Sequence, residues 1–155
     1  MQVEGLSQGL ANASFLAIPI FLISVSPLSK LSTLEIVGFT IVILSLVFET
    51  IADYQKLKFL KEMKRQNKQN MVCDVGLWKY TRHPNYFAEW MVWNGLIITS
   101  IPSYISLFDS EALWLWIMVG AALIYTSRIM YITLVYLTGA VPSEYYSAQK
   151  RPGYK

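Results

Sequence analysis

Apolar runs of about 20 residues recur along this chain, separated by short polar breaks and by one long basic segment. A run of that length crosses the hydrocarbon core of a bilayer once as a helix, and a soluble domain of 155 residues cannot bury several of them. Composition agrees: 54% of the residues are hydrophobic, 15% are charged, and mean hydropathy is positive. The expected fold class is all-α, a polytopic membrane helix bundle with about four transmembrane helices. The chain reads as a single membrane domain over 1–155, with no internal repeat or low-complexity tract.

The four spans fall near 6–25, 34–51, 84–101 and 111–137. Pro19 lies inside the first, where a kink is tolerable if neighbouring helices satisfy the freed carbonyl. The second ends in Glu49 and Asp53 and is expected to continue as a helix into the basic segment, closing at Asn67-Lys68-Gln69-Asn70. Pro84 suits the first turn of the third, and Pro102-Ser103 is expected to end it. Thr138-Gly139-Ala140-Val141-Pro142 breaks the fourth, leaving a polar tail. The N-terminus lacks the basic start and small-residue cleavage site of a signal peptide, so the first apolar segment is expected to remain as a span.

Charge is placed unevenly. Lys56, Lys58, Lys61, Lys64, Arg65, Lys68, Lys79 and Arg82 hold most of the 13 basic residues, whereas 101–111 has none and carries Asp109 and Glu111. The positive-inside bias puts the basic loop and the tail with Lys150, Arg151 and Lys155 on the cytoplasmic side, with both termini cytoplasmic and the 102–110 loop opposite. A basic loop between two apolar runs is accounted for by that bias, and no nucleic-acid partner is expected.

Where the chain re-enters the membrane stands Gly76-Leu77-Trp78-Lys79-Tyr80-Thr81-Arg82-His83-Pro84-Asn85-Tyr86-Phe87-Ala88-Glu89-Trp90, with the only histidine of the protein. A helix starting at Pro84 turns its free N–H groups and positive dipole end toward Arg82 and His83, an arrangement suited to an anion such as a cofactor phosphate. Asn85 and Glu89 are i and i+4 on that helix and share a face. An interfacial belt explains Tyr86, Trp90 and Trp93, but an acid and an amide entering an apolar span are costly and point to function. Trp78 and Tyr86 fit either reading.

A second cluster, Glu49, Asp53, Gln55 and Lys56, reads either as local ion pairing or as a polar wall facing Arg82. Arg128, between Tyr125 and Tyr131, reads as a clamp onto Glu49 or Glu89 or as a cofactor contact. The segment from Glu144 to Tyr154 is either a cap over a ligand phosphate or an ordinary tail. Cys73 is the sole cysteine, which excludes an internal disulfide, and one histidine leaves no zinc-hydrolase ligand set; no metal is expected. Gly-rich nucleotide loops, a phosphate loop of the Walker type and a serine elbow are absent.

Trp78-Lys79-Tyr80-Thr81-Arg82-His83-Pro84-Asn85-Tyr86-Phe87-Ala88-Glu89 resembles the signature of the steroid 5-alpha-reductase-like membrane family, close to G-x-W-x-x-[ST]-R-H-P-N-Y-F-G-E. That family is grouped with the sterol double-bond reductases and, more remotely, the isoprenylcysteine and phospholipid methyltransferases. Ala52-Asp53-Tyr54-Gln55-Lys56-Leu57-Lys58-Phe59 resembles the reductases' A-D-x-Q-K-x-x-F segment, and Arg151-Pro152-Gly153-Tyr154 their near-terminal one. The resemblance covers nearly the whole chain and implies a helical membrane fold with NADPH in a cavity open to the cytoplasm. It implies cofactor contacts from Lys56, Trp78, Asn85 and Tyr86, with Arg82 and His83 lining the cavity and Asp53 and Glu89 hydrogen-bonding within it. Glu144, Arg151 and Tyr154 would close it from the C-terminal side. The implied chemistry is hydride delivery to an activated carbon–carbon double bond in a lipid or steroid-like substrate, completed by a proton from a group the motifs do not name.

Two departures stand out: Ala88 where the family has glycine, and Leu60 where sterol reductases carry an arginine. The resemblance also begins partway into the family pattern, and family members carry further spans before that point and a short aromatic tail after it. A short natural form, a fragment, and a subunit completed by another membrane protein supplying helices are the three expectations. An S-adenosylmethionine-dependent methyltransferase is the alternative enzyme, because those relatives share R-H-P-x-Y, and a non-catalytic membrane subunit is the alternative of another class. Asn85, the Phe87–Glu89 continuation and Asp53-x-Gln55-Lys56 favour the reductase.

Overall fold

The computed structural model describes residues 17–27, 29–68, 71–137 and 139–150. These are helical, with no strand among them: α1 (Ala17–Ser24), α2 (Thr33–Arg65), a 3-10 turn (Gly76–Lys79), α3 (Pro84–Ser110), α4 (Leu113–Ile132), a π-helical turn (Thr133–Leu137) and α5 (Ala140–Lys150). Three stretches, Thr33–Arg65, Pro84–Ser110 and Leu113–Lys150, are long and apolar enough to cross a membrane. Most of the expected first span lies outside the described residues; within α1, Pro19 and Leu22 are buried.

Both ends of α2 are set by local chemistry. Ser32 and Glu35 form a reciprocal cap: the Glu35 N–H donates to Ser32 Oγ (3.2 Å), and the Ser32 N–H donates to Glu35 Oε2 (2.7 Å). At the other end Asn67 takes a left-handed conformation (φ 53°), and the Lys68 N–H reaches back to the Met63 carbonyl (3.0 Å) while the Asn67 N–H bonds that of Lys64 (3.2 Å). This closure satisfies the last carbonyls where the polar residues begin. At 33 residues, α2 is about 50 Å long. It therefore outruns a bilayer core of about 30 Å and carries Lys56 to Arg65 past the apolar run.

Three boundaries differ from the expectations. Pro102 does not end the third span; α3 continues to Ser110, because an internal proline removes one backbone bond and tightly packed helices tolerate that loss. The 102–110 segment is therefore helix, and Glu111-Ala112 alone joins α3 to α4. The polar tail is also helical: Pro142 falls in the first turn of α5, where no intrahelical acceptor awaits its missing N–H.

The fold groups into two compact units, Met1–Ile43 with Met91–Met130, and Leu44–Trp90 with Tyr131–Lys155. In the first, α2 and α3 meet through glycine. A Cβ on Gly95 would sit 2.8 Å from Val42 Cγ2 and 3.0 Å from the Gly38 carbonyl oxygen, and one on Gly38 would collide with Thr99. Thr99, Ser100 and Thr126 are buried there, their hydroxyls bonded to the carbonyls of Gly95, Ile97 and Ala122. Ser127 Oγ donates to Asn94 Oδ1 across α4 and α3 (2.8 Å). The Tyr104 ring stacks on Trp116, centroids 4.9 Å apart, its hydroxyl against Gly120. Small and hydroxylated residues thus share the interior with Leu22, Leu123 and Met130, while Ile43, Ile117, Met118 and Ile124 are exposed. That is the distribution expected where lipid covers the outside.

Candidate functional site

The second unit holds the polar corner, built on one turn of α2. The chain returns from α2 through Gly76, whose φ of 56° is left-handed, and the Gln55 side chain lies where a Cβ would project. The Leu77 N–H donates to Gln55 Oε1 (2.8 Å). Two residues on, the buried Trp78 indole N–H donates to the Ala52 carbonyl (2.7 Å). The Lys56 ammonium lies 4.4 Å from the Trp78 ring centroid, a cation–π contact. Ala52, Gln55 and Lys56, within one turn of α2, therefore hold the loop and place Lys56.

Beyond the 3-10 turn, α3 begins at Pro84, and its first turn closes when the Phe87 N–H bonds the His83 carbonyl (3.3 Å). Pro84 has no N–H, so the N–H groups of Asn85 and Tyr86 are the donors of the helix start that have no intrahelical acceptor. The His83 ring stacks nearly parallel on Tyr86, 5.2 Å between centroids and 7° between planes. Glu144 of α5 reaches both residues before the helix: Oε1 lies 3.2 Å from His83 Nε2 and Oε2 lies 3.5 Å from Arg82 Nη1. Burial holds the His83 pKa below its ordinary 6.5; the hydrogen bond and charge of Glu144 oppose this, while Lys56 and Arg82 add to it. The lowered pKa favours the neutral ring, and the Nε2–Glu144 Oε1 contact is a hydrogen bond in the tautomer that carries its proton on Nε2.

Asn85 Oδ1 is buried and has no hydrogen-bond partner among the described residues. Unpaired buried acceptors are costly and call for an explanation. On the same helix face, Glu89 is close enough to Asp53 to feel its charge, and both act on Tyr86. Glu49 feels Glu89 and Asp53 in turn. An aromatic run of Phe87, Trp90, Tyr131 and Tyr136 borders this face, with Trp90 edge-on to Tyr131 at 5.9 Å.

Asp53, Lys56, Trp78, Arg82, His83, Asn85, Tyr86, Glu89 and Glu144 all fall in this unit. Trp78 is a strut in it, its N–H and one ring face already engaged. Arg151 and Tyr154 lie outside the described residues. Arg128 is exposed on α4, in the other unit. The function of Gln55 as the clasp on Leu77 was not legible in the sequence; the only sign was a glutamine one turn after Ala52 and a glycine at the returning loop. Chemically, Lys56, Arg82, His83 and the start of α3 favour an anion, while Asn85 offers an unused acceptor beside them.

Comparison with curated proteins and with solved structures finds no match. Residues 6–155 match the model of the family described as "Protein of unknown function (DUF1295)", and the chain belongs to that family.

Proposed function

We propose that the protein is an NADPH-dependent membrane oxidoreductase that reduces an activated carbon–carbon double bond in a lipid or steroid-like substrate. The observation that carries this reading is the buried, unpartnered Asn85 Oδ1 in the first turn of α3, beside Arg82 and His83. A dinucleotide offers what such a corner lacks: phosphates for cations and free N–H groups, and a carboxamide N–H₂ for an orphan acceptor. The resemblance of 78–89 and 52–59 to the steroid 5-alpha-reductase-like family supports the same reading.

In this reading Lys56 and Arg82 would hold phosphate, Asn85 Oδ1 would accept from the carboxamide, and Tyr86, stacked on His83, would be a further contact. Gln55 and Trp78 keep the loop seated so that Lys56 stays in place. Arg151 and Tyr154 belong to the same proposal through the resemblance alone. The chemistry that NADPH supplies when bound is a hydride for the double bond. Tyr86 and Glu89 are the protonatable side chains that α3 brings to this face, and the adjacent carbon must receive its proton from a group of that kind or from water. The basic loop faces the cytoplasm in this proposal.

The test is a fluorescence titration of the purified full chain in detergent with NADPH and, separately, with S-adenosylmethionine. Saturable NADPH binding is expected, weakened about tenfold in Asn85→Ala, the equivalent of one lost hydrogen bond of about 1.4 kcal/mol. Arg82→Ala should weaken it at least as much. Because Asn85 Oδ1 is unpaired, Asn85→Ala should leave thermal stability unchanged or slightly raised. Binding of S-adenosylmethionine alone would overturn the reading in favour of a methyltransferase, and binding of neither by folded protein would favour a non-catalytic subunit.

A further inference from the structure

We propose that Glu144 is an internal stand-in for a bound anion: its carboxylate occupies the Arg82–His83 pair in the free protein, and an incoming phosphate group displaces it and releases α5. The proposal takes from the cofactor reading only the identity of that phosphate as part of NADPH.

Three observations support it. The carboxylate is divided between the two residues before α3, one oxygen at 3.2 Å from His83 Nε2 and the other at 3.5 Å from Arg82 Nη1. This is where a helix start favours negative charge. Lys56 and Arg82 also act on His83, so among the described residues Glu144 is the acidic group acting on it amid positive neighbours. A phosphate monoester carries up to two charges and three acceptor oxygens, and guanidinium prefers it to a single, half-exposed carboxylate.

The attachment of α5 is weak. The helix has no buried residue, and Val141, Tyr145 and Tyr146 are exposed. Its tie to Arg82 is an ion pair with side chains 52% and 37% exposed, a kind worth little in water. The helix is joined to α4 through the π-helical turn and Gly139, where a side chain would run into the Leu134 carbonyl. A π-helical turn and a glycine that a Cβ would crowd mark a hinge on which a short, unburied helix can swing. Loss of the Glu144 contacts would leave an 11-residue helix with few tertiary restraints, too short to hold its own backbone bonds firmly.

Amide hydrogen exchange over 140–150 reads the displacement directly. It is followed in the wild-type full chain with and without saturating NADPH and, in parallel, inorganic pyrophosphate, and Glu144→Gln is titrated with both. Displacement requires exchange in 140–150 to quicken severalfold on ligand addition. It also requires Glu144→Gln to exchange quickly without ligand and to bind pyrophosphate severalfold more tightly than wild type. Slower exchange with ligand, or weaker binding by Glu144→Gln, would make Glu144 part of the ligand site and overturn the proposal. Release by pyrophosphate without NADPH binding would keep the switch and sink the reductase reading. NADPH binding with 140–150 unchanged would do the reverse, and failure of both probes to bind would remove the displacing agent and end the proposal.

Discussion

In the first unit α2 and α3 meet at Gly38 and Gly95, and the buried hydroxyls of Thr99, Ser100 and Thr126 are satisfied by carbonyls of their own helices. In the second unit the polar groups reach across sequence instead: Trp78 to Ala52, Leu77 to Gln55, Glu144 to Arg82 and His83. One acceptor, Asn85 Oδ1, reaches nothing among the described residues. The first arrangement closes these three bonds within single turns and gains stability from close approach, with Ser127 to Asn94 as a bond between helices. The second spends its polar groups on long-range positioning, and its open atom is a pure acceptor beside cationic side chains, whereas those of the first unit are the hydroxyls of Ser26 and Ser103 and the Trp116 N–H.

The contrast makes the glycine crossing the most sensitive point of the molecule. Gly38→Leu should destabilise the protein by about 3 kcal/mol, the upper end of overpacking, because the new side chain meets the Thr99 backbone and has no rotamer that avoids it. Denaturation in mixed micelles, followed by circular dichroism, measures this. A shift under about 0.5 kcal/mol would mean that the helices part freely and that close approach is not what holds the first unit.

Trp78→Phe should act more gently and elsewhere. It removes one buried donor while keeping an aromatic ring under Lys56, at a cost of about 1 kcal/mol. The loss should show as faster amide exchange over 71–80, with 91–130 unaffected. NADPH affinity should fall severalfold because the ring under Lys56 is no longer anchored to the Ala52 carbonyl. Equal loosening of both regions would show that the loop contact supports the whole bundle rather than the corner alone.

The spans were legible in the sequence because run length and end chemistry are local. The polar run from Asn67 marked the end of α2, whereas the Ser32–Glu35 cap at its start emerged only with the structure. Prolines were misleading for the same reason. Pro102 and Pro142 look alike as breaks, yet one sits inside α3 and the other in the first turn of α5, and what neighbours tolerate is a tertiary property. Arg82 to Glu89 stood out as one contiguous polar entrance to an apolar run. What held it was hidden: Gln55 lies 22 residues from Leu77, and Glu144 lies 62 from Arg82. Their pairing follows from how α2 and α5 return to one place, which no spacing rule records.

The mildest difference lies in pH dependence. His83 has its pKa lowered by burial against the opposing pull of Glu144, so the folded protein favours the neutral ring more than the unfolded chain does. The unfolded chain therefore binds more protons as pH drops below the ordinary value of 6.5. The stabilisation is complete above that value and is lost as pH falls from it through the lowered folded value. His83→Gln cannot titrate, so its unfolding midpoint should decline less than that of the wild type between pH 7.5 and pH 5. Parallel profiles would mean that His83 gains as much from Glu144 as it loses to burial, and that the carboxylate grips the ring as a true ion pair. Such a grip would also make Glu144 harder to displace, so the size of the difference measures how readily the polar corner can give up its internal anion.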